Sequence, residues 1–172
     1  LMMVTHTGEI IDGDQLLFIL ATQTQHEFQR INGVVGTLMS NFGLEQALIE
    51  RGIGFARAQV GDRYVMELLK ERGWLLGGES SGHIVCLDQT STGDGIVAAL
   101  QVVKALVRGE RTLAEASAEM TKAPMVMINV RFAPNSDPVD KPEVQAAVAD
   151  IEQRLGQSGR VLLRKSGTER VI

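Results

Sequence analysis

The spacing of apolar and polar positions changes several times along this 172-residue chain, and each change marks an element. Leu1-Met2-Met3-Val4 and Glu9-Ile10-Ile11 flank the polar turn Thr5-His6-Thr7-Gly8, a pattern that predicts a β-hairpin. From Leu16 to Ala21 the residues are apolar without a polar face, which predicts a buried helix capped by Asp12 or Asp14. The stretch 22–30 is polar and reads as a solvated helix end or linker, with a domain boundary near Arg30.

From Gly33 the pattern alternates between strand and helix periods. A strand is expected over 34–38, a loop and cap at Ser40-Asn41, and a helix over 44–51 closed by Gly52. A second strand over 55–60 leads to a helix capped by Asp62 that runs to Arg72 and stops at Gly73. Leu75-Leu76-Gly77-Gly78 leads into a glycine-rich loop, and Ile84 to Leu87 forms a further strand. Asp94 caps a long helix over 95–108, and a short helix follows over 113–120. This alternation predicts a layered α/β domain over 31–122. After Pro124 the residues 125–132 alternate as a strand that opens a second, α+β domain over 123–172. Three prolines fall within 133–142, Pro142 suits the first position of a helix ending at Leu155, and a strand is expected over 161–164.

Composition narrows the class. A hydrophobic content of 44% is that of a globular protein, and 17 basic against 21 acidic residues give a net charge of -4, which argues against broad nucleic-acid binding. The single cysteine, Cys86, lies in an apolar run, so neither an intrachain disulfide nor a cysteine-based zinc site is expected. No apolar stretch approaches the length that crosses a bilayer, and a cytoplasmic setting is expected. Both ends interrupt apolar runs, so the chain reads as a fragment.

Two clusters carry candidate chemistry. In Arg160-Val161-Leu162-Leu163-Arg164-Lys165-Ser166-Gly167-Thr168-Glu169, a short apolar run feeds two cations, two hydroxyls and a glycine, the partners of a phosphate, although a plain solvated turn has the same composition. In Gly77-Gly78-Glu79-Ser80-Ser81-Gly82-His83, carboxylate, hydroxyl and imidazole alternate with glycines at the mouth of an α/β unit. The residues alone leave Glu79 as either an acceptor for sugar hydroxyls or an exposed loop carboxylate. His83 is either a ligand group or a structural residue, and Arg63 either faces a phosphorylated ligand or is a solvated first-turn cation. Gly52-Ile53-Gly54-Phe55-Ala56-Arg57 fails as a dinucleotide fingerprint, because Arg57 replaces the third glycine and the run precedes a strand. Ser81, His83 and Asp88 fail as a hydrolase triad, being neighbours in one loop. Asp12 and Asp14 open a helix, a capping role and not a magnesium site.

Taken together, the motifs resemble the α-D-phosphohexomutase superfamily over essentially the whole chain. The resemblance rests on Asp12-Gly13-Asp14-Gln15, Val35-Gly36-Thr37-Leu38-Met39-Ser40-Asn41, Gly61-Asp62-Arg63-Tyr64-Val65, Gly78-Glu79-Ser80-Ser81-Gly82-His83, Thr92-Gly93-Asp94-Gly95-Ile96 and Arg164-Lys165-Ser166-Gly167-Thr168-Glu169. It implies a four-domain enzyme of which the chain holds the end of domain 2 (1–30), all of domain 3 (31–122) and the first part of domain 4 (123–172). Glu79, Ser81 and His83 would then hold sugar hydroxyls, with Arg63 beside them, and Arg164, Ser166, Gly167 and Thr168 would grip the phosphate that is not transferred. Arg170 stands where the family pattern has proline. The implied reaction interconverts the 6- and 1-phosphates of glucosamine through a phosphoserine and a bisphosphorylated sugar. That serine and a loop binding Mg2+ are expected before Leu1, so the chain alone is expected to be inactive. The implied partner is a phosphorylated amino sugar, with no nucleic acid or membrane, and a homodimer is allowed. Glucose or mannose phosphates are the alternative substrates, and a non-catalytic sugar-phosphate-binding module is the alternative class.

Overall fold

The computed structural model describes residues 1–24, 32–133, 136, 138–166 and 169–172, which pack as two compact units, Leu1–Lys122 and Ala123–Ile172. In the first, β1 (Met3–Val4) and β2 (Ile10–Ile11) pair antiparallel across the expected polar turn. Helix α1 (Gly13–Thr24) follows. Asp12 and Gln15 cap it reciprocally, the Gln15 N–H donating to Asp12 Oδ1 at 3.1 Å and the Asp12 N–H to Gln15 Oε1 at 3.4 Å. Leu16, Leu17, Phe18, Ile19, Leu20 and Ala21 are all buried, as a helix without a polar face requires.

Next come β3 (Gly33–Thr37), α2 (Phe42–Ile49), β4 (Gly54–Ala58), α3 (Asp62–Arg72), β5 (Leu76–Gly78), β6 (Ile84–Cys86), α4 (Gly95–Arg108) and α5 (Leu113–Ala118). The sheet order is β4-β3-β5-β6, with β4, β3 and β5 parallel and β6 antiparallel at the edge. Successive strand residues point to opposite faces, and the core divides accordingly. Val34, Leu76, Ile84 and Cys86 join Leu16, Phe18, Leu44, Leu48 and Val102 on the face covered by α1, α2 and α4. Val35, Ala58 and Val85 join Val65 and Leu69 of α3 on the other. The result is a three-layer α/β/α unit.

Three expectations change here. The division placed near Arg30 falls outside the described residues, yet α1 shares one core with the elements after it, because a helix apolar all round needs cover from sheet and helices together. Asp62 is the first helical residue of α3, and the N-cap position belongs to Gly61. Leu76-Gly77-Gly78 is a strand where a run into a loop was expected. A Cβ on Gly77 would stand 2.8 Å from the Val35 carbonyl oxygen and 3.0 Å from Val65, so glycine here admits α3 close against the sheet.

In the second unit, α6 (Pro142–Leu155) has Pro142 in its first turn as expected, and none of its residues is buried. The strands expected over 125–132 and 161–164 do not form. Val130 and Ile172 exchange two backbone hydrogen bonds, 2.8 and 3.0 Å, beside an isolated antiparallel bridge between Arg131 and Val171. Met125, Val126, Met127 and Ile128 are exposed, and among the described residues no strand runs beside them, so this half of the alternating run lacks a ladder.

Candidate functional site

The turn joining β5 to β6 presents the glycine-rich cluster at the carboxyl edge of the parallel strands, where open α/β sheets bind ligands. Gly78 pairs with Ile84, and the five residues between them close on themselves. The Glu79 N–H donates to the His83 carbonyl at 3.0 Å and the Gly82 N–H to the Glu79 carbonyl at 2.9 Å. Glu79 and His83 are half-buried and Ser81 is exposed, so all three expected sugar-contacting residues lie in one short turn.

Two neighbouring elements fix this turn. The Gly61 N–H, at the start of α3, donates to Glu79 Oε1 at 2.9 Å. That bond aims the carboxylate across the strand ends and engages one of the two oxygens that a bidentate grip on a ligand would use. Behind the turn, the Gly13 N–H at the start of α1 donates to the Ser80 carbonyl at 3.0 Å. Gly13 is seated so closely that a Cβ there would stand 2.7 Å from the Gly82 nitrogen and nearer still to the Glu79 carbonyl oxygen.

Arg63 lies two residues beyond Gly61 on α3, and its Nε donates to Glu67 Oε1 at 2.8 Å. This bond raises the already high pKa of the guanidinium. Its side chain is 79% exposed, with Asp62 Oδ1 accepting its backbone N–H.

Sequence reasoning missed a polar node under the same edge. Asp14, taken as a cap, instead reaches across to α2, where its Oδ2 accepts the Asn41 N–H at 2.7 Å. Asn41 in turn caps α2 through a 2.8 Å bond from the Gly43 N–H. Burial pushes the Asp14 carboxyl up to about 6 against the opposing hydrogen bond from Asn41, and the Asp12 charge adds to the rise. Asp14 Oδ1 has no hydrogen-bond partner among the described residues. Arg57 pins the same turn, donating from Nη1 to the Thr37 and Ser40 carbonyls at 2.9 and 2.8 Å and from Nη2 to Glu45 at 2.7 Å. No local pattern marks either residue, because their partners lie 12 to 27 positions away.

In the second unit, Arg164 is exposed and Ser166 half-buried. The Ser166 N–H donates to the Val171 carbonyl at 2.8 Å, and Ser166 Oγ accepts the Glu169 N–H at 3.2 Å. Gly167 and Thr168 lie outside the described residues. Among the described residues no group of three or more His, Cys, Asp or Glu side chains is placed to hold a metal ion, and no helix is long and apolar enough to cross a membrane.

Comparison with known proteins gives this geometry its context. The model of phosphoglucomutase/phosphomannomutase α/β/α domain III matches residues 12–123, and that of the C-terminal domain matches 127–172. The chain is 58% identical over its whole length to the phosphoglucosamine mutase of Aeromonas salmonicida (strain A449), covering 39% of that protein. To the phosphoglucosamine mutase of Pseudoalteromonas translucida (strain TAC 125) it is 57% identical over 99% of its length, covering 38%. It therefore spans under two-fifths of the length of these relatives. Among solved structures, an N-acetylglucosamine-phosphate mutase in its product complex matches 99% of the chain with a TM-score of 0.76 at 17% identity, over 41% of that protein. Aspergillus fumigatus N-acetylphosphoglucosamine mutase, in complex with GlcNAc-6P and magnesium, matches 99% with a TM-score of 0.75 at 19% identity, over 44% of that protein. With these two family models together matching nearly the whole chain, and with an α/β/α architecture in the first unit, the chain belongs to the phosphoglucomutase/phosphomannomutase family and carries its α/β/α domain III and residues of its C-terminal domain.

Proposed function

We propose that the chain is the sugar-recognising part of a phosphoglucosamine mutase, which interconverts glucosamine 6-phosphate and glucosamine 1-phosphate through a phosphoserine and a bisphosphorylated sugar. The observation that carries the proposal is the bond from the Gly61 N–H to Glu79 Oε1, which fixes the Glu79 carboxylate at the carboxyl ends of the parallel strands. Relatives 54 to 58% identical that carry that name support the choice of amino sugar.

In this reading Glu79 accepts a hydrogen bond from a sugar hydroxyl, Ser81 offers an exposed hydroxyl, and His83 offers a ring nitrogen. Arg63, exposed on the first turn of α3, adds positive charge for the phosphate end, and Glu67 fixes the direction of its fork. Arg164, Ser166, Gly167 and Thr168 grip the phosphate that is not transferred. These residues bind and orient; no phosphoryl-transfer step is assigned to them. Magnesium accompanies the sugar phosphate in the Aspergillus complex, but the described residues of this chain do not supply a ligand set for it. A cytoplasmic setting suits the lone, buried Cys86, whose thiol is pushed up to about 11 by burial.

The test is turnover by the intact protein that carries this chain, with glucosamine, glucose and mannose 6-phosphates as substrates. Glu79→Ala is expected to lower kcat/KM for glucosamine 6-phosphate by about 10- to 100-fold, the value of one charge-assisted hydrogen bond. An unchanged kcat/KM removes Glu79 from the site, and a wild-type preference for mannose or glucose phosphate replaces the amino-sugar assignment.

A further inference from the structure

We propose that Gly93 is a positioning residue for the His83 imidazole, reserving by its missing side chain the space in which that ring must lie. This rests on the reading of His83 as a sugar-contacting group and extends it to a residue that touches no ligand.

Both partners are held from behind. His83 leads directly into β6, and its carbonyl accepts the Glu79 N–H at 3.0 Å. Gly93 immediately precedes Asp94, the N-cap of α4, whose carboxylate accepts the Ile96 and Val97 N–H groups at 2.8 and 3.0 Å. The ring therefore sits between a strand start and a capped helix start. A Cβ built on Gly93 would stand 2.6 Å from His83 Cδ2, nearer still to Nε2, and 3.5 Å from Cε1. Carbon atoms in contact prefer about 3.5 to 4.0 Å, so alanine at 93 and the present ring cannot coexist.

Which of the two gives way follows from the surroundings. Gly93 is absent from the glycines with positive φ, so no left-handed backbone demands glycine there. The atoms met are at the tip of a side chain with two rotatable bonds, and rotating the imidazole relieves the clash without moving the main chain. Gly13 is the contrasting case, where the added Cβ meets the backbone of Glu79 and Gly82. Gly95, two residues beyond Gly93, is the matched control, because a Cβ there meets nothing within 4 Å. Gly93 is therefore required by the ring's position and not by the fold.

The experiment compares wild type, Gly93→Ala, His83→Ala, the double variant and Gly95→Ala in the intact protein, reading kcat and KM for glucosamine 6-phosphate, thermal midpoints and the imidazole NMR resonances. His83→Ala identifies the His83 signal by its loss. Gly93→Ala is expected to shift that signal, keep the wild-type midpoint and raise KM about 3- to 10-fold, the range of one neutral hydrogen bond. The double variant is expected to be no worse than His83→Ala, and Gly95→Ala to match wild type. Multiplying effects in the double variant would overturn the proposal, since Gly93 would then act independently of His83. An unshifted ring signal, or an unchanged KM in Gly93→Ala beside an impaired His83→Ala, would overturn it while leaving the sugar-contact reading intact. An unchanged KM in His83→Ala would remove both.

Discussion

The turn at Glu79–His83 and the segment Arg164–Glu169 are written in similar residues, each a short apolar run followed by glycine and hydroxyls, yet they are supported differently. The first is the tip of two paired strands, tied to the start of α3 through Gly61 and to the start of α1 through Gly13, above a core buried on both sheet faces. The second follows Val161, Leu162 and Leu163, which form no strand, and its described residues are held by the bond from the Ser166 N–H to Val171 and by that from the Glu169 N–H to Ser166 Oγ. The difference teaches that a strand is made by its neighbours. Leu76-Gly77-Gly78 has weak strand character and becomes β5 because β3 and β6 flank it. The alternating run 125–132 has strong strand character and, among the described residues, pairs only near Val130 to Phe132.

The contrast can be broken most forcefully in the core. Phe18→Ala, at a fully buried position, should cost about 3 to 5 kcal/mol in denaturant unfolding of the first unit. A loss below about 1 kcal/mol would mean that the α1 core is not the support described. Asp14→Asn comes next, and its effect depends on pH. A carboxyl raised from 3.8 to about 6 binds its proton more tightly in the folded state. Its stabilising effect is therefore present below the unfolded value and is lost as pH rises through about 6, a change on the order of 3 kcal/mol. The variant should gain on wild type between pH 4 and pH 7, and equal differences in unfolding free energy at the two pH values would show that Asp14 titrates as it does when unfolded. Gly13→Ala, forcing a Cβ against backbone, should cost about 1 to 3 kcal/mol and reshape the turn, read as a lower midpoint together with a raised KM. The smallest effect belongs to the second unit, where Ile151→Ala on the exposed face of α6 should stay within about 0.5 kcal/mol. A larger loss would mean that α6 is covered by a partner.

Local signals carried much of this architecture. The polar turn between apolar pairs gave the hairpin, Asp94 ahead of an apolar-periodic run gave α4, and Pro142 gave the start of α6. The candidate turn at Glu79 was legible from composition alone, since few other stretches place carboxylate, hydroxyl and imidazole among glycines. What it faces was not legible. Gly61 is 18 positions from Glu79, Gly13 is 67 from Ser80, and Asp14 is 27 from Asn41, and no periodicity links residues that meet only after the sheet has assembled. The polarity of Asp14 suggested a local cap, the commonest use of aspartate near a helix start, and tertiary packing assigned it to a different helix.

The antiparallel direction of β6 has a consequence for how this site can vary. Most ligand-binding loops on parallel sheets lead into helices and tolerate changes of length, but the Glu79–His83 turn joins strands that are adjacent and in register. An inserted residue has either to lengthen the loop, which spreads Glu79 and His83 apart, or to slip the register, which would send Ile84, Val85 and Cys86 to the wrong faces and exchange the side chains that fill two separate cores. A change of length in this turn therefore disturbs either its own geometry or the packing beneath it, whereas a side-chain substitution at Ser81, which is exposed, disturbs neither.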